Sequence, residues 1–216
     1  AIGYKALEDY EDGDGNGHNT AIGSKSQLNA STGEFNTSLG SQAIGNGVTT
    51  GDYNIAIGYL AGNALTSGQR NVLIGSNAGD ALTTGESNVG VGHGALSAED
   101  GNGSTTAVGY KALNVQNAGA ETYNVAVGFE TGKLISTGIE NTLIGSLAGD
   151  ALTTGTRNVA IGYAALGAED AHGKNIAIGY QALTAQDAGA DARNVAIGYE
   201  AGHDVSTGIK NVFVGN

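Results

Sequence analysis

A short unit that returns roughly every 17–19 residues is the feature that most limits how this chain can fold. The unit reads Asn, then Val, Ile or Thr, a small residue, an aliphatic residue, Gly, and usually Tyr or Ser, as in residues 194–199. Its leading positions are Asn19, Asn36, Asn54, Asn71, Asn88, Thr105, Asn124, Asn141, Asn158, Asn175, Asn194 and Asn211. So short and regular a period is typical of a solenoid, in which each coil contacts only its neighbours.

The composition suits a narrow β-structured tube. Gly accounts for 38 of 216 residues, and Pro, Cys, Met and Trp are absent. Gly costs a helix interior about 1 kcal/mol each, which disfavours helices at this density, and the lack of Cys excludes disulfides and thiol nucleophiles. We therefore predict an all-β chain: a parallel β-solenoid, or β-roll, of about twelve coils of 17–19 residues, forming a single repeat domain over residues 1–216.

The charge balance narrows the choice of partners. The chain has 21 acidic and 9 basic residues, a formal charge of −12, so we expect no binding to nucleic acid or to anionic membrane surfaces. No apolar run approaches the roughly 20 residues of a membrane-spanning helix, and we expect no membrane insertion. Because the sequence begins and ends partway through copies of the unit, we expect a segment of a longer fibre.

The columns of the repeat predict a short strand followed by a turn. The first and third residues after Asn are mostly branched aliphatic, so we expect them to fill the interior. The residue between them is usually Ala but becomes Leu73, Leu143 and Phe213, which suggests a second cover by another chain. The Gly that follows predicts positive φ or a close backbone approach. The Asn column predicts amide ladders that satisfy backbone groups of the turns.

A longer repeat, made of four coils, lies on top of the first. Residues 71–140 align without gaps with residues 141–210. Within it, coils with Ala-Gly and a Thr-Gly turn alternate two by two with coils that have Ala-Leu and an acidic stretch. Any surface feature made by one kind of coil is therefore interrupted every two coils.

The repeat resembles two related kinds of fibre. Residues 54–61, which read Asn-Ile-Ala-Ile-Gly-Tyr-Leu-Ala, are similar to the head repeats of YadA-like trimeric autotransporter adhesins. Residues 141–155 more closely resemble the shaft repeats of phage tail-fibre proteins, and the likeness covers residues 19–216. The period departs from the adhesin pattern, whose coils are a few residues shorter. The resemblance implies a homotrimeric attachment fibre that is extracellular, on a cell surface or on a virion. We expect no cofactor.

Aromatic residues after the strand-ending Gly are the candidate ligand-binding positions. They are Tyr59, Tyr110, Phe129, Tyr163, Tyr180 and Tyr199. Flat apolar rings with hydroxyl edges suit surface glycans, while the alternative is that the rings pack on the next coil or across a subunit contact.

Metal ligation is predicted only weakly. Residues 12–17 imitate the opening of a calcium loop, with Asp12, Asp14 and Asn16 as ligands, but Gly23 stands where the bidentate acid is needed. A solvated acidic turn is the preferred interpretation, and we predict no metal site. The four histidines occupy four different places in the repeat and form no column: His18, His93, His172 and His203.

These observations favour a structural and adhesive fibre over an enzyme, and no catalytic residue is predicted. One alternative is an ice- or glycan-binding solenoid, suggested by Thr-Gly turns at residues 32–33, 49–51, 83–85, 136–138, 153–155 and 206–208. Against ice binding, the alternation of coil kinds breaks this file of Thr residues. A less favoured alternative is a fibre-borne glycan-degrading enzyme with paired carboxylates.

Overall fold

The computed structural model describes residues 1–8, 17–101 and 103–215, which form one sheet of twelve parallel strands in chain order. The strands are β1 (Thr20–Ile22), β2 (Thr37–Leu39), β3 (Ile55–Ile57), β4 (Val72–Ile74), β5 (Val89–Val91), β6 (Thr106–Val108), β7 (Val125–Val127), β8 (Thr142–Ile144), β9 (Val159–Ile161), β10 (Ile176–Ile178), β11 (Val195–Ile197) and β12 (Val212–Val214). The predicted all-β parallel β-solenoid is confirmed, with about 11 turns. Within the described ranges, no helix is long and apolar enough to cross a membrane.

Equivalent positions of the repeat lie directly above one another along the stack. Ala177 of β10, for example, pairs with Ala160 of β9 and with Ala196 of β11. Neighbouring strands in a sheet are about 4.8 Å apart, so twelve strands span roughly 55 Å. Side chains at equivalent strand positions consequently form files that run along the stack.

The strands point their small middle residues inward, which is the reverse of the expectation. The middle residue is buried in β1 to β11, while the first and third residues are intermediate or exposed in every strand. Ala160 is fully buried, whereas Ile197 is 42% exposed. So short a coil encloses little space, which is why Ala fits between its walls and the branched residues face outward.

The two kinds of coil fill the core in complementary ways. Ala-Leu coils bury a Leu such as Leu96, whereas Ala-Gly coils have Gly at that position. A Cβ on Gly62 would lie 2.8 Å from a methyl group of Leu65 and 2.9 Å from one of Leu73. Leu73 is fully buried, as is Leu143 of β8. These residues therefore fill space above glycines, and interpreting them as signs of a second cover was wrong.

The Asn column builds the predicted amide ladder. Asn141 Oδ1 accepts a hydrogen bond from the Asn158 backbone N–H (2.9 Å), and Asn141 Nδ2 donates to the Gly155 carbonyl (2.9 Å). Where Thr105 interrupts the column, the buried Gln116 compensates: its Nε2 donates to Thr105 Oγ1 (3.1 Å) and its Oε1 accepts from the amide of the next Asn (2.7 Å). The prediction of a structural role for this column is confirmed.

The Gly that ends each strand is required for both predicted reasons. Gly58 has φ of 136°, and a Cβ built on it would lie 2.5 Å from the carbonyl oxygen of Gly75 in the next coil. Residues that carry a side chain rarely adopt such a φ, and a Cβ cannot lie that close to a carbonyl oxygen. The glycines therefore allow successive coils to approach closely where each strand turns.

Candidate recognition surface

The outer side of the sheet is an apolar face, which we call the aliphatic face. It consists of the first and third residues of each strand. Those that are 36–45% exposed are Ile22, Leu39, Ile55, Val127, Ile144 and Ile197. None of the twelve strands contains a charged residue, although the chain has 21 acidic and 9 basic residues. With a width of roughly 10 Å and a length of roughly 55 Å, the face covers about 500 Å², near the upper end for the largest patch on a monomer.

The aromatic residues predicted as ligand-binding border this face. Each follows the Gly that ends a strand, and the six rings are 40–55% exposed. Tyr59 has Ser41 and Ser76 at the equivalent positions of the adjacent coils. The other five belong to two stacks of rings, separated by Ser146.

The first stack of rings, which we call an aromatic ladder, consists of His93, Tyr110 and Phe129. The ring centroids of His93 and Tyr110 are 5.5 Å apart, and those of Tyr110 and Phe129 are 5.2 Å apart. The ammonium group of Lys111 lies 5.4 Å from the centre of the Tyr110 ring, within the range of a cation–π interaction. The ladder thus combines apolar ring surface with a cation at its side.

The second ladder consists of Tyr163, Tyr180 and Tyr199, with centroid separations of 5.4 Å and 5.1 Å. Hydrogen bonding to Glu200 raises the pKa of the Tyr199 hydroxyl, and the carboxylate's charge adds to the rise. The three rings stack on one another from coil to coil, and each of these residues remains 42–55% exposed.

A third ladder lies at a position that was not predicted from the sequence. His18, Phe35 and Tyr53 stack with centroid separations of 4.7 Å and 5.0 Å. They immediately precede the Asn of their units, where Phe35 and Tyr53 have positive φ values of 56° and 59°. Aromatic residues before Asn in three successive copies were the signal that could have revealed this ladder.

One group of side chains in the described part of the chain could hold a metal ion. Ligand atoms of Glu169, Asp170, His172 and Asp187 all lie within 4.8 Å of one another. Burial raises the pKa of the Glu169 carboxyl; hydrogen bonds from His172 oppose the rise, and the charge of Asp187 adds to it.

This cluster escaped prediction because the histidines were compared only with one another, and not with acidic residues of the next coil. The weak calcium-loop candidate, Asp12, Asp14 and Asn16, lies outside the described residues.

The Thr-rich turns use hydroxyl groups to join coils. Thr83 Oγ1 donates to the Asp100 carbonyl (2.6 Å), and Thr153 Oγ1 donates to the Asp170 carbonyl (2.9 Å). Thr66 donates in the same way to the Thr83 carbonyl (3.0 Å). Hydroxyls bonded within the protein are less free to order water, which argues against the ice-binding alternative.

No family model matches the chain, and neither curated proteins nor solved structures give a match. The fold therefore rests on the strands and their register. The likeness to adhesin heads and tail-fibre shafts rests on the repeat pattern alone.

Proposed function

We propose that this chain is a structural and adhesive segment of an elongated, trimeric attachment fibre that acts outside the cell, either on a cell surface or on a virion. The observation that carries the proposal is the aliphatic face, which is continuous, uncharged and directed outward. A rod of stacked coils supplies length, and the face supplies a way to bundle copies of the rod.

Covering the aliphatic face would remove apolar surface from water, which favours association. At about 25 cal/mol per Å², burying roughly 500 Å² contributes about 12 kcal/mol per chain, comparable to the roughly 4–15 kcal/mol cost of association. Charge depletion is typical of the centre of a protein interface. Three copies around one axis would give each face two neighbours and a closed assembly, which the resemblance to trimeric fibres also favours.

The mass of the chain in solution tests this assembly. One chain has a mass of 21.4 kDa, and a trimer has three times that mass. We expect light scattering at micromolar concentration to give the trimer mass. A mass of one chain would contradict the proposed assembly.

The aromatic ladders are the proposed contacts for a surface glycan. Contact between a sugar and the exposed edges of these stacked rings needs no deep cavity. Ser replaces the aromatic residue in natural copies of the repeat, at Ser76 and Ser146, so Tyr180→Ser should leave the coil intact. We expect the wild-type chain to bind glycans on an array and Tyr180→Ser to bind them more weakly. Equal binding by both would contradict a role for the second ladder.

A further inference from the structure

We propose that Glu169, Asp170, His172 and Asp187 form a binding site for a divalent transition-metal ion, with Zn²⁺ as the best match. The four residues come from two consecutive coils, so an ion bound there would join one coil to the next. The site is independent of the proposed attachment function.

The geometry of the cluster suits such an ion. Zn²⁺ lies about 2.0–2.2 Å from nitrogen and oxygen ligands, so the ligand atoms of a tetrahedral site are roughly 3.3–3.6 Å apart. His172 Nδ1 lies 3.2 Å from Glu169 Oε1, and the four ligand atoms lie within 4.8 Å of one another. The Asp170 and Asp187 side chains are exposed, which leaves them room to adjust around an ion.

The buried carboxylate of Glu169 supplies a second, independent observation. Its side chain is fully buried, and Oε1 accepts a hydrogen bond from the His172 backbone N–H (3.0 Å). The other oxygen, Oε2, is buried and has no hydrogen-bond partner among the described residues. A buried carboxylate with an unsatisfied oxygen is costly, and a cation held by this group would offset that cost.

The first copy of the longer repeat, residues 71–140, provides an internal comparison. Glu99 and Asp100 correspond to Glu169 and Asp170, but Asn102 and Asn117 stand where the second copy has His172 and Asp187. Both differences replace a neutral amide with a stronger metal ligand.

The protein partner of the buried Glu differs in the same way. In the first copy, Gln116 Nε2 donates to Glu99 Oε2 (3.0 Å). In the second copy, the corresponding Gln186 Nε2 donates to the Ser206 carbonyl instead (3.0 Å). In the first copy, the amide of Gln116 thus satisfies the buried Glu. In the second copy, the amide of Gln186 bonds elsewhere, and His and Asp stand at the two positions that are Asn in the first copy.

The ligand types favour a transition metal over Ca²⁺ or Mg²⁺. Imidazole nitrogen suits Zn²⁺ and its first-row neighbours, while Ca²⁺ takes six to eight oxygen ligands. Four side-chain ligands, one of them imidazole, match the coordination number of Zn²⁺. The two exposed carboxylates would provide the path by which the ion enters.

Isothermal titration calorimetry of the whole chain, treated first with chelator and then titrated with ZnCl₂, tests the proposal. The matched variant H172N/D187N installs the Asn pair of the first copy and is therefore expected to fold, which circular dichroism will check. H203N, which removes an exposed histidine outside the cluster, is the control.

We expect one Zn²⁺ per chain for the wild type and for H203N, and at least about tenfold weaker binding by H172N/D187N. Zn²⁺ should raise the melting temperature of the wild type and leave that of the double variant unchanged. Absence of wild-type binding at millimolar Zn²⁺, or equal binding by the folded double variant, would overturn the proposal. Tighter binding of Ca²⁺ that survives H172N would overturn the assignment to a transition metal.

Discussion

Replacing Asn141 with Ala removes one link of the amide ladder at the centre of the stack. The Asn141 side chain is fully buried and joins the Asn158 backbone N–H to the Gly155 carbonyl through two hydrogen bonds of 2.9 Å. Ala supplies neither group, and the packed coils leave little room for water to replace it. Asn141→Ala therefore leaves one backbone donor and one backbone acceptor buried without their partners.

The size of the effect follows from those two groups. A buried polar group left unsatisfied costs about 1–3 kcal/mol, so the substitution should destabilise the chain by roughly 2–6 kcal/mol. For a chain of about 200 residues, each kcal/mol lowers the melting temperature by about 2–4 °C, and a fall of at least about 4 °C is expected.

Urea denaturation followed by circular dichroism measures the loss, and hydrogen exchange of the Asn158 amide reports whether the damage is local. Asn117→Ala is the matched control, because Asn117 is exposed and its backbone N–H donates to the Ser136 carbonyl (2.8 Å), a hydrogen bond that Ala keeps. We expect the control to stay within about 0.5 kcal/mol of the wild type. An Asn141→Ala variant that also does so would refute the structural role of the ladder.

Two further substitutions test the close approach of coils and the balance of charge. Gly58→Ala should destabilise by roughly 2–6 kcal/mol in urea denaturation, because it adds strain at positive φ and a clash with the next coil. Gly167→Ser should give Asp150 the donor that Ser97 gives Asp80 (2.7 Å). Burial raises the pKa of the Asp150 carboxyl from its usual value of 3.8. The native state therefore binds the Asp150 proton more tightly than the unfolded state does. Stability falls as the pH rises from 3.8 through the raised pKa of the native state. Gly167→Ser should lower the pKa of Asp150 in an NMR titration and reduce the loss of stability with rising pH.

The period of the repeat and its Asn and Gly columns were enough to predict the coil. Asn and Gly recur at fixed places, and each has one dominant physical use there: Asn satisfies the turns, and Gly permits close approach. The direction of the strand side chains could not be predicted in the same way. A short strand such as Val159–Ile161 offers only one alternation, and both of its faces are apolar.

A paired change in neighbouring coils held the missing information about direction. Leu73 pairs in the sheet with Gly90, and a Cβ on Gly90 would lie 3.3 Å from a Leu73 methyl group. A large side chain paired with a glycine indicates that the two positions share a confined space in the core. This pairing identifies the middle position of the strand as internal. The metal cluster was missed for a different reason, because Glu169 and Asp187 belong to different coils and meet only when those coils stack.

The trimer proposal is tested most directly by light scattering on two matched double variants. Val127→Lys/Ile144→Lys places two charges on the aliphatic face, where these side chains are 36% and 39% exposed. Thr137→Lys/Thr154→Lys adds the same charge to exposed turn positions of the same two coils. We predict three times 21.4 kDa for the wild type and the turn variant, and 21.4 kDa for the face variant. A wild-type mass of one chain, or a face variant that remains trimeric, would contradict the account.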